Sequence, residues 1–271
     1  MASSRARQAI SVSIAALVAI IVVGCAAGPD PDPSPTPRNA ATSETASPVV
    51  PPPPSLPSLS DLPVGTVIAT GTFDSRDVTG RIEIRSTERH NGMQITLSEV
   101  SPAPPEESTL ELNSLPSSAS DVEFAQAFSY FVYDVLQATS EQTLTTPGEG
   151  YGGFRTNDPG YLRTAVIYGT GGFGDVFATA ALTWNLPNMN PSLQVTDAGK
   201  TEHARGAVTV AEDGTPLAYR VAAGDTLLAI TARFGITGPQ LGWLNPDRSA
   251  SRLILADLTL NLSRENRGLR G

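Results

Sequence analysis

Apolar and polar residues alternate with a period of two along most of the chain after residue 63, the pattern of strands with one face buried. Thr66 to Phe73, Gly80 to Arg85, Met93 to Val100 and Leu110 to Leu112 read as strands on this basis, and Thr164 to Tyr168 and Val176 to Trp184 continue the series. Between them the period changes. Ser120 followed by Glu123 has capping-box form, and Val122, Phe124, Phe128, Phe131, Val135 and Leu136 recur at helical spacing, so Asp121 to Thr139 reads as a helix. The segment FSYFVYDV inside it is also rich in aromatic and β-branched residues, which leaves a strand as the alternative. The expectation for residues 64–190 is therefore a mainly antiparallel β domain with about one helix.

A second periodic region follows. Two β-branched runs flank Asp213-Gly214 in GAVTVAEDGTPLAYRV, a hairpin signal, whereas Pro187 to Glu202 carries Asn, Pro and Gly and reads as linker. Thr226 stands where a helix must start, and Leu227, Ile230 and Phe234 form one stripe. Gly235 follows as the residue past the helix end. Pro239 opens a second helix holding Leu241 and Leu244, which Asn245-Pro246 closes, because a residue preceding proline avoids helical geometry. Apolar alternation over Leu253, Leu255, Leu258, Leu260 and Leu262 predicts a closing strand.

The landmarks Tyr219 to Val221, Gly224 to Leu227, Arg233 to Gly235 and Leu244 to Pro246 resemble a LysM domain, a small βααβ fold. The resemblance covers residues 219–263. It makes the whole chain a multidomain α+β protein and implies binding of glycans that contain N-acetylglucosamine, such as peptidoglycan or chitin-like polymers. The family's groove maps onto Gly224, Asp225, Thr226 and Leu227 on one wall and Pro246, Asp247, Leu253, Ile254 and Leu255 on the other. Asp225 and Thr226 also qualify as helix caps, Trp243 as a sugar platform or a cover for the helix pair, and Asn245 as a structural residue. Ala256-Asp257 stands where the family usually has glycine and glutamine. The opening GTF and RIEI strands resemble the start of a DM13-type domain, a family linked with redox function, over a few tens of residues. No cysteine lies in that region.

The N-terminal end indicates where such a module works. Arg5 and Arg7 precede an uncharged run from Ala9 to Val23, the form of a secretory signal. Its end, Val22-Val23-Gly24-Cys25, resembles a lipobox, which implies cleavage after Gly24 and lipidation of Cys25; a plain signal peptide or membrane anchor with an incidental cysteine is the alternative. Residues 25–63 then repeat proline without apolar periodicity. As an extended spacer of about 38 residues at roughly 3.1 Å each, this stretch reaches on the order of 100 Å. The expected location is the outer face of the cell membrane, lipid-anchored and facing the wall.

Charge and reactive side chains narrow the function. The chain has 18 basic and 27 acidic residues; loss of Arg5 and Arg7 with the signal leaves 16 against 27, a balance of −11. Nucleic acid is an unsuitable partner, because it needs a basic footprint. Lys200 is the sole lysine beside seventeen arginines, a usage associated with GC-rich bacterial genomes. The only histidines, His90 and His203, do not form a zinc pair, and Cys25 is the single thiol, so no metal site and no cofactor is expected. Glu106, Glu107 and Glu111 are the candidates for the paired acids of a glycoside hydrolase, against their reading as solvated surface acids. Gly169, Gly171 and Gly174 satisfy the dinucleotide spacing G-x-G-x-x-G. The strand-like DVFATAALTW that follows favours a glycine-rich hairpin instead, and EGYGGF at 149–154 reads as loop. The expected function is non-catalytic wall binding, with a wall hydrolase as the alternative.

Overall fold

The computed structural model describes residues 57–146, 157–172, 174–248 and 254–269, and residues 53–271 group into one compact unit. The signal, Cys25, residues 25–56 of the proline spacer, the glycine-rich stretch at 149–154 and Leu253 lie outside the described residues. The end of the expected spacer is corrected: Leu59–Asp61 forms a short 3-10 helix, and Leu59 is buried in the core of the larger sheet. No described helix is long and apolar enough to cross a membrane.

Among the described residues eight strands form an antiparallel sheet. They are β1 (Val67–Ser75), β2 (Val78–Ser86), β3 (Met93–Ser101), β4 (Thr109–Asn113), β5 (Ser129–Val135), β6 (Gln142–Thr145), β7 (Thr164–Tyr168) and β8 (Val176–Trp184), in the order β5-β4-β7-β8-β1-β2-β3-β6. The edge strands β5 and β6 are neighbours in sequence, separated only by residues 136–141. In a flat sheet seven interstrand steps of roughly 4.8 Å would hold them about 34 Å apart. Seven extended Cα steps reach only about 25 Å, so this sheet must curl toward a barrel. The Gln142 side chain pins the short connection by accepting from Gln137 N (3.0 Å) and donating to Gln137 O (3.1 Å).

Period-two alternation fills the inside of the curl. Ile82 and Ile84 of β2, Ile95 and Leu97 of β3, Leu110 and Leu112 of β4, Ile167 of β7 and Ala178 of β8 share one core. The mainly antiparallel reading of this region holds. The helix expected over Asp121 to Thr139 is corrected: α1 spans only Asp121–Gln126, and the chain then turns into β5. Ser120 caps α1 with the expected capping box. The run Ser129–Val135 is drawn into the sheet by pairing with β4, which buries Tyr130 and Val132 and outweighs the weak helical preference of the segment. β6, with only Leu144 buried in its four residues, is too short for its pattern to announce itself.

A three-stranded sheet completes the fold, with β9 (Ala207–Val210), β10 (Pro216–Arg220) and β11 (Thr259–Asn261) in the order β11-β10-β9. The Asp213-Gly214 hairpin forms as expected, with Gly214 at φ +86° and Thr215 N donating to Asp213 Oδ1 at 2.9 Å. Helices α2 (Leu227–Phe234) and α3 (Gly238–Leu244) lie between β10 and β11, so the order β-α-α-β predicted from sequence is the order observed. Thr226 caps α2, Gly235 closes it at φ +66°, and Thr237 with Gln240 forms a capping box on α3. Tyr219, Ile230, Phe234, Leu241, Leu244, Leu260 and Leu262 make the core. The closing strand is shorter than the alternation over 253–262 implied. Ile254 and Leu255 are exposed in a turn, and pairing begins only at Val221 N to Leu258 O, 2.9 Å.

Candidate functional site

Gly224 occupies a turn at φ +84°, a conformation open to glycine at little cost, and this turn feeds the exposed cap Thr226. Opposite, Asp257 N donates to Val221 O at 2.8 Å, which brings the turn 254–257 beside the same strand end. The two strand ends thus carry two short walls. Gly224, Thr226 and Leu227 belong to one, Ile254 and Leu255 to the other. Leu228, which the sequence pattern did not single out, is 81% exposed on the first turn of α2, and Leu255 is 53% exposed. Its signal was present in the doubled Leu227-Leu228: one residue must leave the core stripe.

The remaining groove candidates are placed elsewhere. Asp225 is buried, and its carboxylate accepts from Tyr219 Oη (2.5 Å), Ala222 N (2.8 Å) and Arg205 N (2.8 Å). Burial acts to raise its pKa, but these donors outweigh it and hold Asp225 below the usual carboxylate range. Burial together with the Asp225 bond pushes Tyr219 up to about 12. Asp225 therefore shapes the turn from inside rather than facing a ligand. Pro246 is buried, and Asp247 pairs with Arg248 at 3.5 Å on the rim of a different cavity, near Asn261 and Ala218. Asn245 is structural as expected, donating to Leu241 O (2.9 Å) and accepting from Asn261 N (2.8 Å).

Trp243 neither awaits a sugar nor merely covers the helix pair. Its Nε1 donates to Asp158 Oδ2 at 2.9 Å, and the Arg267 guanidinium stacks 3.6 Å from its ring centroid. Arg267 also bonds Asp158 Oδ2 (2.9 Å) and Trp243 O (2.9 Å). Residues 264–269 are thus packed between the curled sheet and α3. Arg163 extends this joint by donating to Ser114 O (2.6 Å) and Glu265 O (2.5 Å). The segment expected as linker behaves similarly: Leu193 enters the small core, and Asp197 takes both arms of Arg233 at 2.6 and 2.8 Å.

In the larger sheet, Glu106 and Glu107 are exposed, but Glu111 is not the surface acid expected. It is 1% exposed, under α1 on the outer side of β4, with Asn113 Nδ2 donating to it at 2.5 Å. Burial raises its pKa to about 7 against the pull of bonds from Asn113, Ser129 and Tyr168. The cause is topological: Leu110 and Leu112 take the inner face, and α1 with Phe124 covers the outer one. Gly169, Gly171 and Gly174 sit in the connection between antiparallel β7 and β8, where Gly169 N donates to Asp175 O (2.8 Å) and Gly171 N to Asp175 Oδ2 (3.2 Å). That is a hairpin, not a phosphate loop. His90 contacts Ser60 Oγ (3.0 Å) and His203 lies near Gly224 O (3.4 Å). Among the described residues no group of three His, Cys, Asp or Glu is close enough to hold a metal ion.

No family model, curated protein or solved structure matches this chain.

Proposed function

We propose that this protein is a lipid-anchored envelope protein that holds N-acetylglucosamine-containing glycan, peptidoglycan above all, through the βααβ module at 219–263, without catalysis. The observation that carries the reading is the pairing of two exposed walls at one end of that module. Gly224, Thr226 and Leu227 with the neighbouring Leu228 form one, and Ile254 and Leu255 the other. Backbone groups of the Gly224 turn supply donors and acceptors for an acetamido group, and the leucines supply apolar contact for its methyl and for sugar faces. The four arginines and three aspartates of residues 219–263 leave the module nearly neutral, which suits an uncharged polymer. Cys25 at the lipobox-like site and the proline spacer would tether it within reach of the wall.

Full-length protein in detergent is expected to sediment with insoluble peptidoglycan, and Leu255→Glu, at an exposed position, to abolish sedimentation without lowering the melting temperature. Retention of binding in that variant would remove the groove from the argument. Clearing of wall substrate in a zymogram would replace the binding reading with the hydrolase one.

A further inference from the structure

Asp247, displaced from the groove, and its neighbour Arg248 line a cavity of about 350 Å³ on the outer side of β10 and β11. This volume is at the small end of the ligand-pocket range. Leu217, Ala218 and Leu269 give it apolar surface, while Thr209, Thr259 and Asn266 bring hydrogen-bonding groups. The ion pair is loose, 3.5 Å, and both side chains are largely buried, 14% and 17% exposed. Among the described residues neither side chain makes another ion pair or hydrogen bond, although the Asp247 charge also acts on Tyr161. Two largely buried charges in one loose contact keep capacity for a second partner, and a ligand that brings its own ammonium and carboxylate completes both.

We infer that this cavity binds a short zwitterionic peptide rich in alanine, the chemistry of the peptides that cross-link wall glycan, making the module a reader of both glycan and peptide. A terminal carboxylate pairs with Arg248, an amine with Asp247, and alanine methyls meet Leu217, Ala218 and Leu269. The peptide backbone is met by Thr209 and Thr259. Among the described residues no aromatic ring lines the cavity to stack on a sugar, and a neutral sugar offers the ion pair no charge of its own. The source of the peptide rests on the envelope reading proposed above; the cavity chemistry does not.

The test is NMR titration of the ¹⁵N-labelled full-length chain in detergent, with two separate probes: a synthetic wall tetrapeptide free of sugar, and N-acetylchitotetraose. The peptide is expected to move the amide signals of Ala218, Asp247, Arg248, Thr259 and Asn266 and to leave Gly224 and Thr226 in place. Arg248→Gln and Asp247→Asn should each weaken peptide binding at least tenfold while chitotetraose binding is unchanged. No cavity response at millimolar peptide, or unchanged peptide affinity in both variants, overturns the proposal, as does a cavity response to chitotetraose alone. A groove silent to chitotetraose with a cavity responsive to peptide removes the glycan reading and leaves the peptide site standing.

Discussion

Glu111 is the residue whose environment departs furthest from its sequence context. Its pKa is raised from 4.5 to about 7, so the folded chain holds the proton more tightly than the unfolded one. Its stabilising effect is then full below pH 4.5 and is lost as pH rises to about 7. The shift corresponds to on the order of 3 kcal/mol. Glu111→Gln, which keeps an acceptor for Asn113, should therefore raise the urea midpoint at pH 8 and match wild type at pH 4. Parallel pH profiles for the two proteins would refute the assignment. Asp225 has the opposite sign: its pKa is depressed, so its contribution is present above the unfolded value and lost as pH falls through the folded one. Asp225→Ala leaves Tyr219 Oη and two backbone donors without their acceptor and should cost about 3 kcal/mol. Chemical denaturation at pH 7 measures it.

At the scale of elements, α1 illustrates a local signal that is correct about its start and silent about its end. The Ser120 and Glu123 pair was readable in sequence and caps the helix as read. The apolar stripe beyond it was shared between helical and strand periods, and the partner that decided the outcome, β4, lies outside the window. α1 is only six residues long and covers Glu111, so its cap matters beyond its length. Ser120→Ala is expected to cost about 1 kcal/mol. Faster amide exchange should appear in residues 121–127 and extend to Glu111, while β1 to β3 remain protected. Around the smaller sheet the caps at Thr226 and Gly235 were legible, because a cap depends on residues within one turn, whereas the Thr237 and Gln240 capping box was not singled out. The length of β11 was not, since leucines at 253 and 255 continue the alternation past the point where a pairing partner exists.

For the molecule as a whole, Asp158, Trp243 and Arg267 join the curled sheet to the βααβ module through residues far apart in sequence. Removing one member of a buried charge pair costs about 3–5 kcal/mol. Arg267→Ala should split the calorimetric unfolding of the full chain into two transitions, with the module melting first. A single undiminished transition would show that the joint carries no coupling. A double-mutant cycle with Asp158→Ala is expected to return a coupling of at least about 1 kcal/mol.

The sequence by itself determined the β-α-α-β order, the hairpin at Asp213-Gly214, the helix caps and six of the eight strands of the larger sheet, all governed by interactions within a few residues. It also set the charge balance and the scarcity of thiol and imidazole. Only the tertiary structure decided that Asp225 turns inward, that Asp247 leaves the groove for a second cavity, that Glu111 is buried and that Trp243 docks against the larger sheet. Those outcomes depend on which segments meet, and the meeting is set by a sheet that must curl because its two edges are joined by six residues.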